Sequence, residues 1–170
     1  MSRRGREEVE MEEKILNFLY QDWIHEVTRI VQGARAKDEE LRKYTSDYSL
    51  NLAYVITELP EKLKEIYSEK LVLFVKLDKG VVQKLDIGTE IPEENIDFTI
   101  FSTHDTAKKI FTEKLNPASA FIKKQLKVEP LGKIYKMPRF TARSIITGNM
   151  ILKYARQVPT KFEEIMGEYG

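Results

Sequence analysis

Chemistry by histidine, or by a serine or cysteine nucleophile, would have to draw on very few side chains in this chain. His25 and His104 are the only histidines and stand far apart in the sequence. His104 precedes Asp105 near an expected helix start, but no convergent ligand or base accompanies it at metal-site or dyad spacing, so it reads as a surface or capping histidine. Ser119 and Ser144 lack the Gly-x-Ser-x-Gly frame of a nucleophile elbow. Gly132 and Gly148 are isolated, so there is no glycine-rich phosphate loop. No cysteine is present, which removes thiolate catalysis, disulfides and Cys-ligated zinc. The remaining charged feature is a basic run of Lys123, Lys124, Lys127, Lys133, Lys136, Arg139 and Arg143. Such a run can meet an anionic membrane surface or the phosphates of an acyl carrier, or form a solvated face balanced by acids elsewhere.

The whole chain narrows the choice further. Its 170 residues suit one domain, or one domain with an extension. Lys and Arg number 28 against 27 for Asp and Glu, a balance that argues against a dedicated nucleic-acid binder. No apolar run approaches the ~18 residues needed to span a bilayer. Arg3, Arg4 and Arg6 are followed by Glu7, Glu8 and Glu10 instead of an apolar core, unlike a signal peptide. A cytoplasmic location is the expectation.

Elements must position whatever site exists. Residues 1–6 are expected to fray, with Glu7 to Glu13 making a first turn. Leu16, Leu19, Tyr20, Trp23, Ile24, Val27, Ile30, Val31 and Ala34 recur at helical spacing and predict a broad amphipathic helix. Leu50, Ala53, Tyr54 and Thr57 read as the stripe of a second helix, and Pro60 opens a third holding Leu63, Ile66 and Tyr67. From Leu71 to Leu77 the residues favour a central strand. Asp78-Lys79-Gly80 supplies a hairpin turn to a return strand with Val81, Leu85 and Ile87 on one face. Ile96 to Ile100 alternates as a third strand. Ser102 or Thr103 caps the next helix, with Ala107, Ile110, Phe111 and Leu115 inward. Asn116 caps another, with Pro117 at its first position and Ala118, Phe121 and Ile122 inward. Leu126 and Val128 start a fourth strand, residues 133–137 a short edge strand. A helix from about Thr141 to Gln157 follows, and Pro159 begins a terminal helix with Phe162, Ile165 and Met166.

At the centre of this order stand Asp97-Phe98-Thr99-Ile100, Lys114-Leu115-Asn116-Pro117, Ala120-Phe121 and Leu126-Lys127-Val128. These words resemble the sterol-carrier-protein-2 (SCP2) family, with its third strand, its Lys-Leu-(Asn/Asp)-Pro turn before an apolar helix, and its fourth strand. Lys153-Tyr154-Ala155-Arg156-Gln157-Val158-Pro159 is similar to the endings of prokaryotic SCP2-like proteins. The likeness covers roughly residues 70–157. Glu129-Pro130-Leu131-Gly132 departs from the Gly-(Asp/Asn) that commonly follows the family's fourth strand, and there is no C-terminal peroxisomal address.

The resemblance implies an α+β fold: about five strands, mostly antiparallel, covered by helices, with N- and C-terminal helical segments. Residues 1–69 would be a helical segment packing on an SCP2-like core of residues 70–170, one globular unit overall. The implied function is non-catalytic. A fatty acyl, acyl-CoA or isoprenoid-like ligand would be buried in an apolar tunnel, with no cofactor and no metal. The lining would come from Phe74, Phe98, Ile100, Ile110, Phe111, Leu115, Phe121, Ile122, Leu126 and Val128, with Ile145, Ile146 and Met150 as a cover. The same residues would equally fill a dry core, which demands the same chemistry. An accessory or dimerisation protein is the alternative, using the N-terminal helix as a homodimer interface. Transient membrane contact fits the basic run, and a lipid-acting enzyme lacks an evident acid–base pair.

Overall fold

The computed structural model describes residues 14–162. The first turn expected at Glu7 to Glu13, and Ile165 and Met166 of the expected terminal helix, lie outside them. The elements in order are β1 (Leu16–Asn17), α1 (Gln21–Lys37), α2 (Glu39–Thr45), β2 (Leu50–Thr57), α3 (Glu61–Tyr67), β3 (Lys70–Asp78) and β4 (Val81–Gly88). They continue with β5 (Phe98–Thr103), α4 (His104–Phe111), α5 (Pro117–Ile122), β6 (Lys127–Glu129), α6 (Leu131–Lys136), α7 (Pro138–Ala155) and β7 (Thr160–Lys161).

Five strands form one sheet in the order β4-β3-β2-β5-β6, antiparallel except for the parallel pair β2–β5. Its middle strand is β2, where the sequence predicts a helix. Leu52, Tyr54 and Ile56 point to the face shared with α1 and α4, while Ala53 and Val55 pack on the other face with Val72. Both faces of β2 are therefore apolar, and a two-sided apolar run satisfies helical spacing as readily as strand spacing. The expected edge strand at 133–137 is instead helix α6. Pro130 ends the ladder of β6 and stands at the N-cap of α6, and Ile134 turns back onto the core. Thus the sheet has five strands, but the fifth is drawn from the first 69 residues.

Leu16 and Leu19 lie before α1. Leu16 and Asn17 pair in parallel with Thr160 and Lys161, so the segment after Pro159 is extended over these residues. In the β3–β4 hairpin, Lys76 pairs with Lys84 but Leu77 pairs with Val82, leaving Gln83 as an extra residue. That bulge reverses the alternation of β4 at its start, so Val82 is buried and Val81 exposed, the opposite of the even pattern expected. The turn itself forms as predicted, with Gly80 at φ 79°. The loop after β4 is pinned over the far face, where Glu94 accepts from Lys76 Nζ at 3.1 Å and Ile96 packs beside Val55.

Local capping is also as expected at α5: Asn116 Oδ1 accepts from the Ala118 N–H at 2.8 Å, and Pro117 is the first helical residue. The inward residue is nevertheless Ala120, fully buried, while Ile122 is 78% exposed. One short turn can press only its smallest side chain against Ile110 and Leu126. At α4 the cap is Thr103, whose Oγ1 accepts from the Thr106 N–H, one residue later than a Ser102 box would place it.

Candidate functional site

The few reactive side chains are engaged structurally. His25 lies on the surface within 3.1 Å of Gln21 Nε2. His104 is not a surface residue: it is 2% exposed, edge-on to Phe18, in a cluster with Trp23, Phe111 and Phe162. Burial holds its pKa down at about 4, with the Lys108 cation adding to the depression, so the ring is neutral near pH 7. A small cavity of about 60 Å³ adjoins it, lined also by Asn17, Tyr20 and Leu63. Ser144 Oγ donates to the Phe140 carbonyl at 2.8 Å and accepts from the Tyr48 hydroxyl. Burial pushes the Tyr48 hydroxyl up to about 12, keeping it a donor. Among the described residues no group of three His, Asp or Glu could hold a metal ion.

The thirteen residues expected to line a tunnel are divided among several places in the structure. Phe98 and Phe111 belong to the main core, and Val128 packs against it. Ile110 and Leu126 form a second cluster around Ala120, with Ile100 and Leu115 packed against it. Phe74 pairs with Ala53 and Asp86, on the sheet face away from the helices. Phe121 and Met150 are half-buried. Ile122, Ile145 and Ile146 are exposed. None of the thirteen lines the small cavity beside His104 or the 210 Å³ concavity against α7.

An apolar concavity open at one side lies at another place, between α1, α2, the β3–β4 hairpin and α7, with a volume of about 210 Å³. Leu41, Thr45, Leu77, Val82 and Thr147 are its buried floor. Gln32, Ala36 and Val81, all exposed, frame its mouth. Each wall follows from local sequence. Val27, Val31 and Ile24 give α1 its inner stripe. Asp38 caps α2, its Oδ1 accepting from the Leu41 N–H at 3.0 Å, and the Tyr154 hydroxyl of α7 donates to its other oxygen. The hairpin is docked through the Gly80 N–H, which donates to the Tyr48 carbonyl at 2.9 Å.

Two polar atoms in this pocket have no partner among the described residues: Thr147 Oγ1 and Arg35 Nε. Thr147 is 1% exposed, and it occupies the stripe Phe140, Ser144, Thr147, Ile151, Tyr154 that α7 turns inward. Ser144 satisfies its hydroxyl on the preceding turn; Thr147 does not. A buried unsatisfied hydroxyl costs roughly 1–3 kcal/mol unless something fills the site with an acceptor or a donor. Sequence inspection did not single out this pocket. The available signal was a second hydroxyl, Thr147, one turn after Ser144 on the stripe shared with Phe140, Ile151 and Tyr154.

The five-stranded sheet, mostly antiparallel, with helices on one face has the fold of SCP2-type structures. A crystal structure of sterol carrier protein 2 superposes with a TM-score of 0.62 at 20% identity, covering 84% of this chain and 99% of its own. A solution structure of a conserved hypothetical protein from Thermus thermophilus, suggested to be a sterol carrier protein, also gives 0.62, at 18% identity, covering 86% and 92%. No protein-family model matches the chain, and no curated protein matches its sequence. The likeness is one of fold. Among the described residues no helix is long and apolar enough to cross a membrane.

Proposed function

We propose that this protein binds an apolar chain, fatty acyl or isoprenoid-like, without transforming it, and that the chain enters between α1, α7 and the β3–β4 hairpin. The observation that carries this reading is the apolar pocket of about 210 Å³, whose floor is aliphatic apart from Thr45 and Thr147. Thr45 spends its hydroxyl on the Leu41 carbonyl at 2.8 Å, which leaves Thr147 to meet the polar end of an amphiphile. The fold shared with a protein named sterol carrier protein 2 supports the same reading.

Each methylene moved from water into such a site gains roughly 0.8 kcal/mol, so six to eight of them give about 5–6 kcal/mol before ordering costs. The pocket is smaller than the ~300–1,000 Å³ usual for ligand sites. A short chain fits it as it stands, and a longer one requires α7 to shift outward from the hairpin. The test is uptake of a fluorescent medium-chain fatty acid by the purified protein, with native mass spectrometry for co-purified lipid. Saturable uptake displaced by unlabelled fatty acid is expected. Neither uptake nor bound mass would end the carrier reading.

A further inference from the structure

The charge of this chain is strongly divided along its length. From Lys114 to Phe162 there are eleven basic residues and a single acid, Glu129, a net of +10 in a chain whose total is +1. The rest therefore carries −9. The division is sharpest from Pro130 to Phe162, which holds no Asp or Glu at all. Over α6 and the start of α7, the side chains facing water are of two kinds. Leu131, Tyr135 and Met137 are apolar and exposed, Tyr135 by 74%. Lys136 and Arg139 are cationic, and no ion-pair partner meets either among the described residues.

Helix α6 buries none of its six residues. It is held from beneath, by Ile134 against the core and by Lys133, which pairs with Asp97 at 2.9 Å and lies over the rings of Phe98 and Phe140. Leu131 and Tyr135 are one helical turn apart, so they share the outer side. Exposed apolar side chains grouped together and rimmed by cations mark a surface suited to an interaction.

We propose that α6 and the first turn of α7 form a docking face for the anionic surface of a lipid bilayer. Lys136 and Arg139 would meet lipid phosphates, while Leu131, Tyr135 and Met137 enter the headgroup boundary, where tyrosine is favoured. A nucleic acid would use the cations but leave the aliphatic side chains in water, so the bilayer matches both kinds of residue. This face shares no residue with the pocket of the carrier reading, and the two are testable apart.

The test is co-sedimentation of the full chain with vesicles of phosphatidylcholine alone, and of phosphatidylcholine with about one part in three phosphatidylglycerol. Binding to the anionic vesicles that weakens with salt is expected. Each cation near such a surface contributes about fivefold, so K136Q with R139Q should lower the partition coefficient about 25-fold. Tyr135→Ser should lower it several-fold with unchanged thermal unfolding, because α6 has no buried residue to lose. No sedimentation, equal sedimentation with neutral vesicles, or variants that bind like the parent would each overturn the proposal. So would a dimer abolished by Tyr135→Ser, or tight binding of single-stranded RNA, in the absence of vesicle binding.

Discussion

Gly80 approaches Thr45 so closely that a Cβ on Gly80 would fall 2.4 Å from the Thr45 Oγ1 and 2.7 Å from its carbonyl oxygen. The contact clamps the β3–β4 hairpin to the end of α2 and closes one wall of the apolar pocket. Gly80 also has φ 79°, which an L side chain rarely adopts. Gly80→Ala is therefore expected to cost about 2–4 kcal/mol, combining left-handed strain with overpacking. Urea unfolding measures it; a loss under about 0.5 kcal/mol would show that the hairpin is free to lift.

The mouth of the pocket can be closed without disturbing the core. Ala36 is exposed at its rim. Ala36→Trp should leave stability within about 0.5 kcal/mol while reducing fatty-acid uptake at least about tenfold. Unchanged uptake by this variant would move the ligand to another part of the molecule.

Thr147→Val replaces a buried hydroxyl that has no partner by a methyl group of the same shape. In the ligand-free protein it should raise stability by about 1 kcal/mol. If Thr147 meets the polar end of the ligand, the same variant binds fatty acid more weakly although it is more stable. The two measurements must move in opposite directions; a drop in stability would mean that the hydroxyl is already satisfied.

His104 gives the protein an acid limit. Its folded pKa of about 4 lies below the ordinary 6.5, so between these values the unfolded chain binds a proton that the folded one does not. Stability from this site is fully present above about pH 6.5 and is lost as pH falls towards about 4. The loss is about 2–3 kcal/mol, from 1.36 kcal/mol per pH unit discounted for relaxation. His104→Phe should flatten this part of the pH–stability curve, read by thermal unfolding at a series of pH values. An equal slope in the variant would assign it to carboxylates.

Helix α5 offers a pair of substitutions with opposite expectations. Ala120→Leu forces a larger side chain against Ile110 and Leu126 and should cost about 1–3 kcal/mol. Ile122→Ser, two residues away and exposed, should change stability by less than about 0.5 kcal/mol. Denaturant titration of both variants decides which residue α5 buries.

What could be read in advance was whatever local chemistry dictates. The Asn116-Pro117 start of α5 and the Asp78-Lys79-Gly80 turn depend on dihedral preferences and one hydrogen bond each, and both form where their residues stand. The fold as a whole was legible because these local signals occur in a characteristic order. Strand β2 was not, since Leu50 to Thr57 is apolar on both faces and only pairing with β3 and β5 distinguishes it from a helix. The bulge at Gln83 was equally invisible, and it decides that Val82 and not Val81 is buried. The pocket was least legible of all. Its walls come from Val31, Leu41, Leu77 and Ile151, which share no sequence neighbourhood, and its mark is an unmet hydrogen bond at Thr147, a property of the surroundings.

The short parallel pairing of Leu16–Asn17 with Thr160–Lys161 has a bearing on how the chain is made. Phe18 and Trp23 leave the ribosome early, yet Phe162 and the Thr160 hydroxyl that accepts from Trp23 Nε1 at 2.9 Å leave it last among the described residues. Trp23 and Thr160 are 137 residues apart, so at ~5–20 residues per second the aromatic cluster stays incomplete for roughly 7–27 s of synthesis. Until Thr160 to Phe162 are made, Phe18 lacks the Phe162 ring and Trp23 its hydrogen-bond acceptor, so the pairing of β1 with β7 can form only after every other described element has been synthesised.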